Sequence, residues 1–154
     1  MYRLAYKSRS RTPIDWALVD SILETSNTNN MEREITGILI ATRTHFLQVL
    51  EGPFEAVNAL FYTIARDARH DALQIVSFGC VERRSFDEWA MHGVGIFGLN
   101  DTLLSQLKTT HGEEGGELRL PTAEWQVAAL VQVYELKPAE FDDAWRKWCQ
   151  KHYK

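Results

Sequence analysis

Between Thr36 and Gly52 two short apolar runs, Ile38 to Ala41 and Phe46 to Leu50, stand on either side of a short polar connection. Runs of this length that turn back so quickly read as the two strands of a β-hairpin. Side chains alternate between the two faces of a strand, so Phe46, Gln48 and Leu50 share one face. An amide is thereby placed between two large apolar residues. Burying an unpaired amide costs a few kcal/mol, so Gln48 needs a hydrogen-bond partner. Taken alone it reads as a core glutamine bonded to nearby backbone. The sharper reading is a ligand held over this face, with Gln48 bonded to its polar edge.

The segments around the hairpin fix the fold class. Arg3 to Ser8 alternates Leu4, Tyr6 and Ser8 against Arg3, Ala5 and Lys7, the pattern of a first strand with Tyr6 and Leu4 inward. Thr12, Pro13 and Asp15 supply a helix start, with Thr12 as N-cap and Pro13 at the first helical position. Leu18, Val19, Ile22 and Leu23 carry that helix to about Thr25, and the polar cluster Ser26 to Asn30 reads as its breaker. After Gly52-Pro53 a second helix is marked by Val57, Leu60, Phe61 and Ile64. It closes at Ala65 to His70. Leu73 to Val81 and Trp89 to Phe97 follow as strands, Trp89 and Met91 sharing a face. The order β-α-β-β-α-β-β predicts an α+β, ferredoxin-like sandwich: a largely antiparallel sheet with two helices on one face.

Beyond Asn100 the character changes. Asp101 to Leu107 reads as a short helix and Thr109 to Pro121 as a Gly/Glu-rich loop. Val127, Leu130, Val131 and Tyr134 form one helical stripe. Phe141, Ala144, Trp145, Trp148 and Cys149 form a second, separated from the first by Lys137-Pro138. The expected division is residues 1–99 as one domain and 100–154 as a helical extension. That extension covers the face of the sheet the first two helices leave bare, serves association, or does both.

At 154 residues with 45% hydrophobic and 25% charged content, the chain reads as one ordinary globular domain with an appendage. A net charge of -4 with no Lys/Arg block gives no reason to expect nucleic acid. No run approaches membrane-spanning length, and the first residues lack a signal-peptide pattern. Cys80 and Cys149, far apart and in apolar contexts, read as reduced, buried thiols of a cytoplasmic protein. No Ser/His/Asp set, phosphate-cradling glycine loop or metal spacing competes for attention, and His45 and His70 read as polar contacts.

The motifs, taken together, resemble a BLUF domain over residues 1 to about 97. They are Tyr6 and Ser8 in Leu-Ala-Tyr-Lys-Ser, Asn30 followed by Ile35-Thr36-Gly37-Ile38-Leu39, and Phe46-Leu47-Gln48-Val49-Leu50-Glu51-Gly52. Asp67-Ala68-Arg69-His70 and Arg84-Ser85-Phe86-Asp87-Glu88-Trp89-Ala90-Met91 complete the set. The resemblance implies a blue-light sensor that binds a flavin non-covalently: FAD, with FMN and riboflavin as alternatives. It implies roles as well. Tyr6 passes an electron and a proton to the photoexcited flavin, and Gln48 lies between this tyrosine and the O4/N5 edge of the ring. Asn30, with Asn29 beside it, fixes the N3–H and a carbonyl. Asp67, Arg69 and His70 contact the ring or the ribityl-phosphate side, and Trp89 and Met91 relay the signal. A glutamine can accept on one side and donate on the other, then return rearranged, which would move the absorption to the red. The chain departs from the family in its hairpin turn, where Arg43-Thr44 replaces Gly or Asn, and at position 29, where other members carry His.

The implied function is a photoreceptor without catalytic output that signals to a separate partner protein; self-association as a homo-oligomer is compatible with it. Two other readings compete with it. An acyl-phosphate hydrolase on the same sandwich needs an anion-binding loop near the first strand, which Ser8-Arg9-Ser10-Arg11 only weakly offers. A non-photochemical ligand-binding or dimerisation module is the third.

Overall fold

Tyr2–Ser10 (β1) is an interior strand of a sheet whose strand order is β4-β1-β3-β2-β5, with Thr36–Ala41 as β2, His45–Gly52 as the central β3, His70–Cys80 as β4 and Met91–Gly95 as β5. Trp16–Glu32 (α1) and Phe54–Ala65 (α2) are the crossovers. This computed structural model describes residues 1–86 and 91–153, and of residues 28, 29 and 31 the backbone alone. The ladders are antiparallel except β2 to β5, which is parallel. The ferredoxin-like order expected from the sequence is the observed one.

The two-residue period sorts the sheet into two cores. Leu4, Tyr6, Leu39, Phe46 and Leu50 face α1 and α2, meeting Val19, Leu23, Val57 and Leu60. Ala5, Ile38, Ile40, Leu47, Val49 and Val94 face the opposite way. There they meet Asp101–His111 (α3), Glu124–Leu136 (α4) and Pro138–His152 (α5) through Leu103, Leu107, Val127, Leu130, Val131, Tyr134 and Phe141. All four residues of the stripe foreseen on α4 are buried. α5 also runs along β5, the edge strand, and its Trp145 reaches the first core, 5.7 Å from Trp16 between ring centroids.

Several boundaries differ from the sequence reading. α1 starts at Trp16, and its cap is Asp15, whose carboxylate accepts from the Leu18 amide at 2.9 Å; Thr12 and Pro13 lie outside. The helix also runs through the polar cluster to Glu32. Thr25 and Ser26 bond back to the carbonyls of Ser21 and Ile22, so their hydroxyls do not compete with the helix for its amides. β1 extends to Ser10 and β4 begins at His70, because Arg9 and Ser10 pair with Asp71 and His70. β5 gives way at Ile96–Gly98 to one turn of 3-10 helix. α3 continues to His111, and the expected loop folds a small hairpin of Glu113–Glu114 (β6) and Glu117–Leu118 (β7). Glu117 uses that hairpin to hold the β2–β3 turn, accepting from the Arg43 amide and the Thr44 hydroxyl, each at 3.1 Å. A turn without Gly or Asn is thus supported from outside. Cys80 is exposed at the end of the edge strand β4, against the expectation of two buried thiols, and Cys149 is half-buried.

Candidate functional site

Tyr6 and Gln48 are direct neighbours across the β1–β3 ladder, and Gln48 faces Leu39 on β2. Cross-strand partners lie close enough for their side chains to bond. The Tyr6 hydroxyl donates to Gln48 Oε1, and Gln48 Nε2 points at Met91 Sδ, 3.5 Å away. The partner demanded by the buried amide is therefore a phenol and not local backbone. Burial holds the Tyr6 hydroxyl well above the ordinary tyrosine pKa; Asp67 adds to the shift and Arg69 opposes it. The phenol stays protonated and donating.

α1 and α2 do not close over this pair. They leave a cleft of about 120 Å³ between them. Its walls are apolar, from Ile22, Leu39, Phe46, Leu60 and Ile64. Polar groups reach it from the sheet floor (Tyr6 and Gln48), from α1 (Asn30), from the α2–β4 connection (Asp67 and Arg69) and from the start of β4 (His70).

Asn30 is 1% exposed, yet neither its Oδ1 nor its Nδ2 has a hydrogen-bond partner among the described residues. Buried polar groups are nearly always paired, and leaving them unpaired costs about 1–3 kcal/mol each. A planar heterocycle offering one donor beside one acceptor satisfies both atoms at once. The apolar walls and the acceptor–donor pair on Asn30 fit the ring of a flavin, which has an N–H beside a carbonyl.

The other expected contacts divide. Asp67 and Arg69 pair with each other, the guanidinium Nη2 donating at 2.6 Å and Nε at 3.0 Å. Arg69 holds the Asp67 carboxyl below the usual carboxylate range, against a smaller opposing effect of burial. The pair stands half-exposed at the cleft and turns a charged edge to an occupant. His70 is fully spoken for: Nε2 donates to the Ile64 carbonyl at 2.7 Å, leaving Nδ1 to accept from the Ser8 hydroxyl at 2.8 Å. It ties the end of α2 to β1 and lines the cleft with its ring. Trp89 and the side chain of Asn29 lie outside the described residues. Arg9 and Arg11, at the end of the first strand and just past it, face Asp71.

Two residues were missed by the sequence reading. Glu51, fully buried, accepts from Arg3 at 2.7 and 2.9 Å and from the amides of Ser85 and Phe86 at 2.8 and 3.0 Å. Asn27 accepts from the Met91 amide at 2.7 Å. An acid ending an apolar strand was a usable signal for the first. For the second the only signal was its place one helical turn before Asn30. Among the described residues no acidic, histidine or cysteine group could hold a metal, and no helix is long and apolar enough to cross a membrane.

Comparison with known proteins agrees with this geometry. Residues 1–92 match the model of the family BLUF, described as sensors of blue light using FAD. The blue light- and temperature-regulated antirepressor BluF of Escherichia coli K12 is 36% identical over 67 residues, 44% of this chain and 17% of that protein. The photoactivated adenylate cyclase subunit beta of Euglena gracilis is 32% identical over 89 residues, 57% of this chain and 10% of that protein. The chain thus spans only a small part of these relatives. Among solved structures, the dark state of the BLUF protein BlrB superposes with a TM-score of 0.72 at 28% identity, covering 88% of this chain and 96% of that one. The photo-activated state of BlsA does so at 0.72 and 25%, covering 88% and 94%. A cleft with an orphaned asparagine and a Tyr–Gln floor, on this fold and with these relatives, leads to one conclusion: the chain belongs to the BLUF family, the sensors of blue light using FAD.

Proposed function

We propose that this chain is a blue-light photoreceptor that holds FAD in the cleft between α1 and α2 and switches by rearranging the Tyr6–Gln48 bond. The observation that carries the reading is the presence of an unsatisfied, buried Asn30 and a satisfied Tyr6–Gln48 couple in the lining of one apolar cleft. Asn30, with Asn29 beside it, takes the N–H and carbonyl edge of the ring. Ile22, Leu39, Phe46 and Ile64 flank the ring, and Asp67 and Arg69 stand at the cleft edge toward the ribityl side.

When bound and excited by blue light, a flavin supplies a strong one-electron oxidant. The chain's own groups govern the response. Tyr6 is the phenol at hand, and an oxidised phenol is a strong acid. Its proton has one acceptor in place, Gln48 Oε1. Gln48 presents a donor on its other arm, toward Met91, so protonation and return of the carboxamide can leave it reoriented. Met91 then faces a carbonyl where it faced an N–H, and β5 carries that difference toward α5. We take residues 1–99 as the sensor and 100–154 as its output extension, acting on a separate partner protein, with Trp89 and Met91 as the relay.

The test is spectroscopic. Gln48→Leu, close in volume and without the amide, should still bind flavin yet lose the reversible light-induced red shift. A normal shift in that variant would overturn the switch. Wild-type protein that stays colourless after added FAD would overturn the cofactor reading itself.

A further inference from the structure

We infer that Asn27 is a positioning residue that latches the start of β5 to the cofactor-recognising end of α1, and so sets how long the switched state lasts. This rests on the photoreceptor reading above.

Met91 is held at three points. Its terminal methyl lies over Gly37, where an added Cβ would come 3.2 Å from it and 2.0 Å from the Val49 carbonyl. Only glycine leaves that seat open. Its sulfur faces Gln48 Nε2 at 3.5 Å. Its backbone N–H, the first of the strand, donates to Asn27 Oδ1 at 2.7 Å. The first two grips belong to the switch or to fixed backbone. The third comes from α1, whose side chain alone supplies the acceptor.

The position of Asn27 on the helix gives the latch its meaning. Residues three apart share a helix face, so Asn27 and Asn30 project from one face of α1 on adjacent turns. Asn30 reaches into the cleft with both polar atoms unpaired, while Asn27 reaches the strand. One stretch of helix therefore touches the ligand site and the strand that leaves it. When Gln48 reorients, Met91 loses its N–H contact and can leave its seat only by pulling its amide from Asn27. Return to the resting state requires that bond to form again. The latch favours the resting position of β5 without touching Tyr6 or Gln48, so it acts on lifetime and not on the size of the spectral shift.

The experiment uses the FAD-loaded full chain in three forms: wild type, Asn27→Ala and Asn27→Asp, the last keeping an acceptor oxygen at the same reach. Amide hydrogen exchange in the dark reads the latch directly. The Met91 amide should exchange about ten-fold faster in Asn27→Ala and near the wild-type rate in Asn27→Asp. After a light pulse, Asn27→Ala should show a red shift of wild-type size and recover several-fold more slowly, with recovery restored in Asn27→Asp. If Asn27→Ala does not fold, Asn27→Ser, whose hydroxyl falls short of the strand, replaces it with the same expectations. An unchanged Met91 exchange rate would overturn the latch. Faster exchange with unchanged recovery would overturn its part in the switch. Loss of the light response in wild type would instead overturn the photoreceptor reading, and the dark exchange data would still decide whether the latch exists.

Discussion

The two faces of the sheet are built from the same strands and obey opposite rules. On the face toward α3 and α4 the middle is dry: Ile38, Ile40, Leu47, Val49 and Val94 meet leucines and valines. Its main buried charge, Glu51, sits at one end with Arg3 and two loop amides satisfying it. On the face toward α1 and α2, Tyr6, Ser8, Gln48 and His70 interrupt the apolar surface, and the helices stand apart over a cleft. One face devotes its area to cohesion. The other forgoes packing to keep polar groups aimed at an occupant. Stability should therefore reside mainly in the tail-facing core and light chemistry in the cleft.

Substitutions can break that division. The largest effect should come from Leu130→Ala, which empties a fully buried position of the dry core. A loss of about 2–5 kcal/mol is expected in denaturant unfolding, while the flavin spectrum of the remaining folded protein is unchanged. An altered light shift would show that the two faces are not separable. Asn30→Leu should do the reverse. Flavin affinity should fall about 10- to 100-fold, the value of one or two hydrogen bonds, while the apo chain unfolds no more easily than wild type. Isothermal titration alongside thermal melts of the apo protein checks both halves.

His111 sharpens the comparison, being a buried residue on the tail side with neither ring nitrogen paired among the described residues. Burial lowers its pKa below 6.5, so the unfolded chain takes up a proton more readily and stability falls as pH drops beneath that value. His111→Phe should raise stability by about 1 kcal/mol at mildly acid pH and flatten Tm against pH there. The smallest effect is expected at Asp67→Asn. Its carboxylate is held below 3.8 by Arg69, so its contribution is present above that pH and lost as pH falls through the lowered value. For so exposed a pair that amounts to under about 1 kcal/mol, seen as a Tm difference that vanishes in strong acid.

How much of this was legible beforehand depends on the range of the interaction. The period of two along Phe46 to Leu50 placed Gln48 on a buried face, and the stripes on α2 and α4 named their own core residues, because periodicity follows from covalent geometry. Helix limits were read less well. The cluster Ser26 to Asn30 has the composition of a breaker, yet the Ser26 hydroxyl bonds back to a helix carbonyl, and Asn27 and Asn30 turn toward the strand and the cleft. His70 matched a binding motif, but only the approach of Ser8 and the Ile64 carbonyl revealed that both of its nitrogens are used.

By itself the sequence determined the element order and the sheet face that carries the amide, and its resemblance to a family named the residues expected to recognise a flavin. Tertiary structure decided which of them meet. Tyr6 and Gln48 are 42 residues apart and Asn27 and Met91 are 64 apart, and each pair bonds only once a register or a helix-to-strand packing brings them together. The same holds for the orphaned amide of Asn30, since lacking a partner is a property of everything around a group. No local pattern along the chain can encode it.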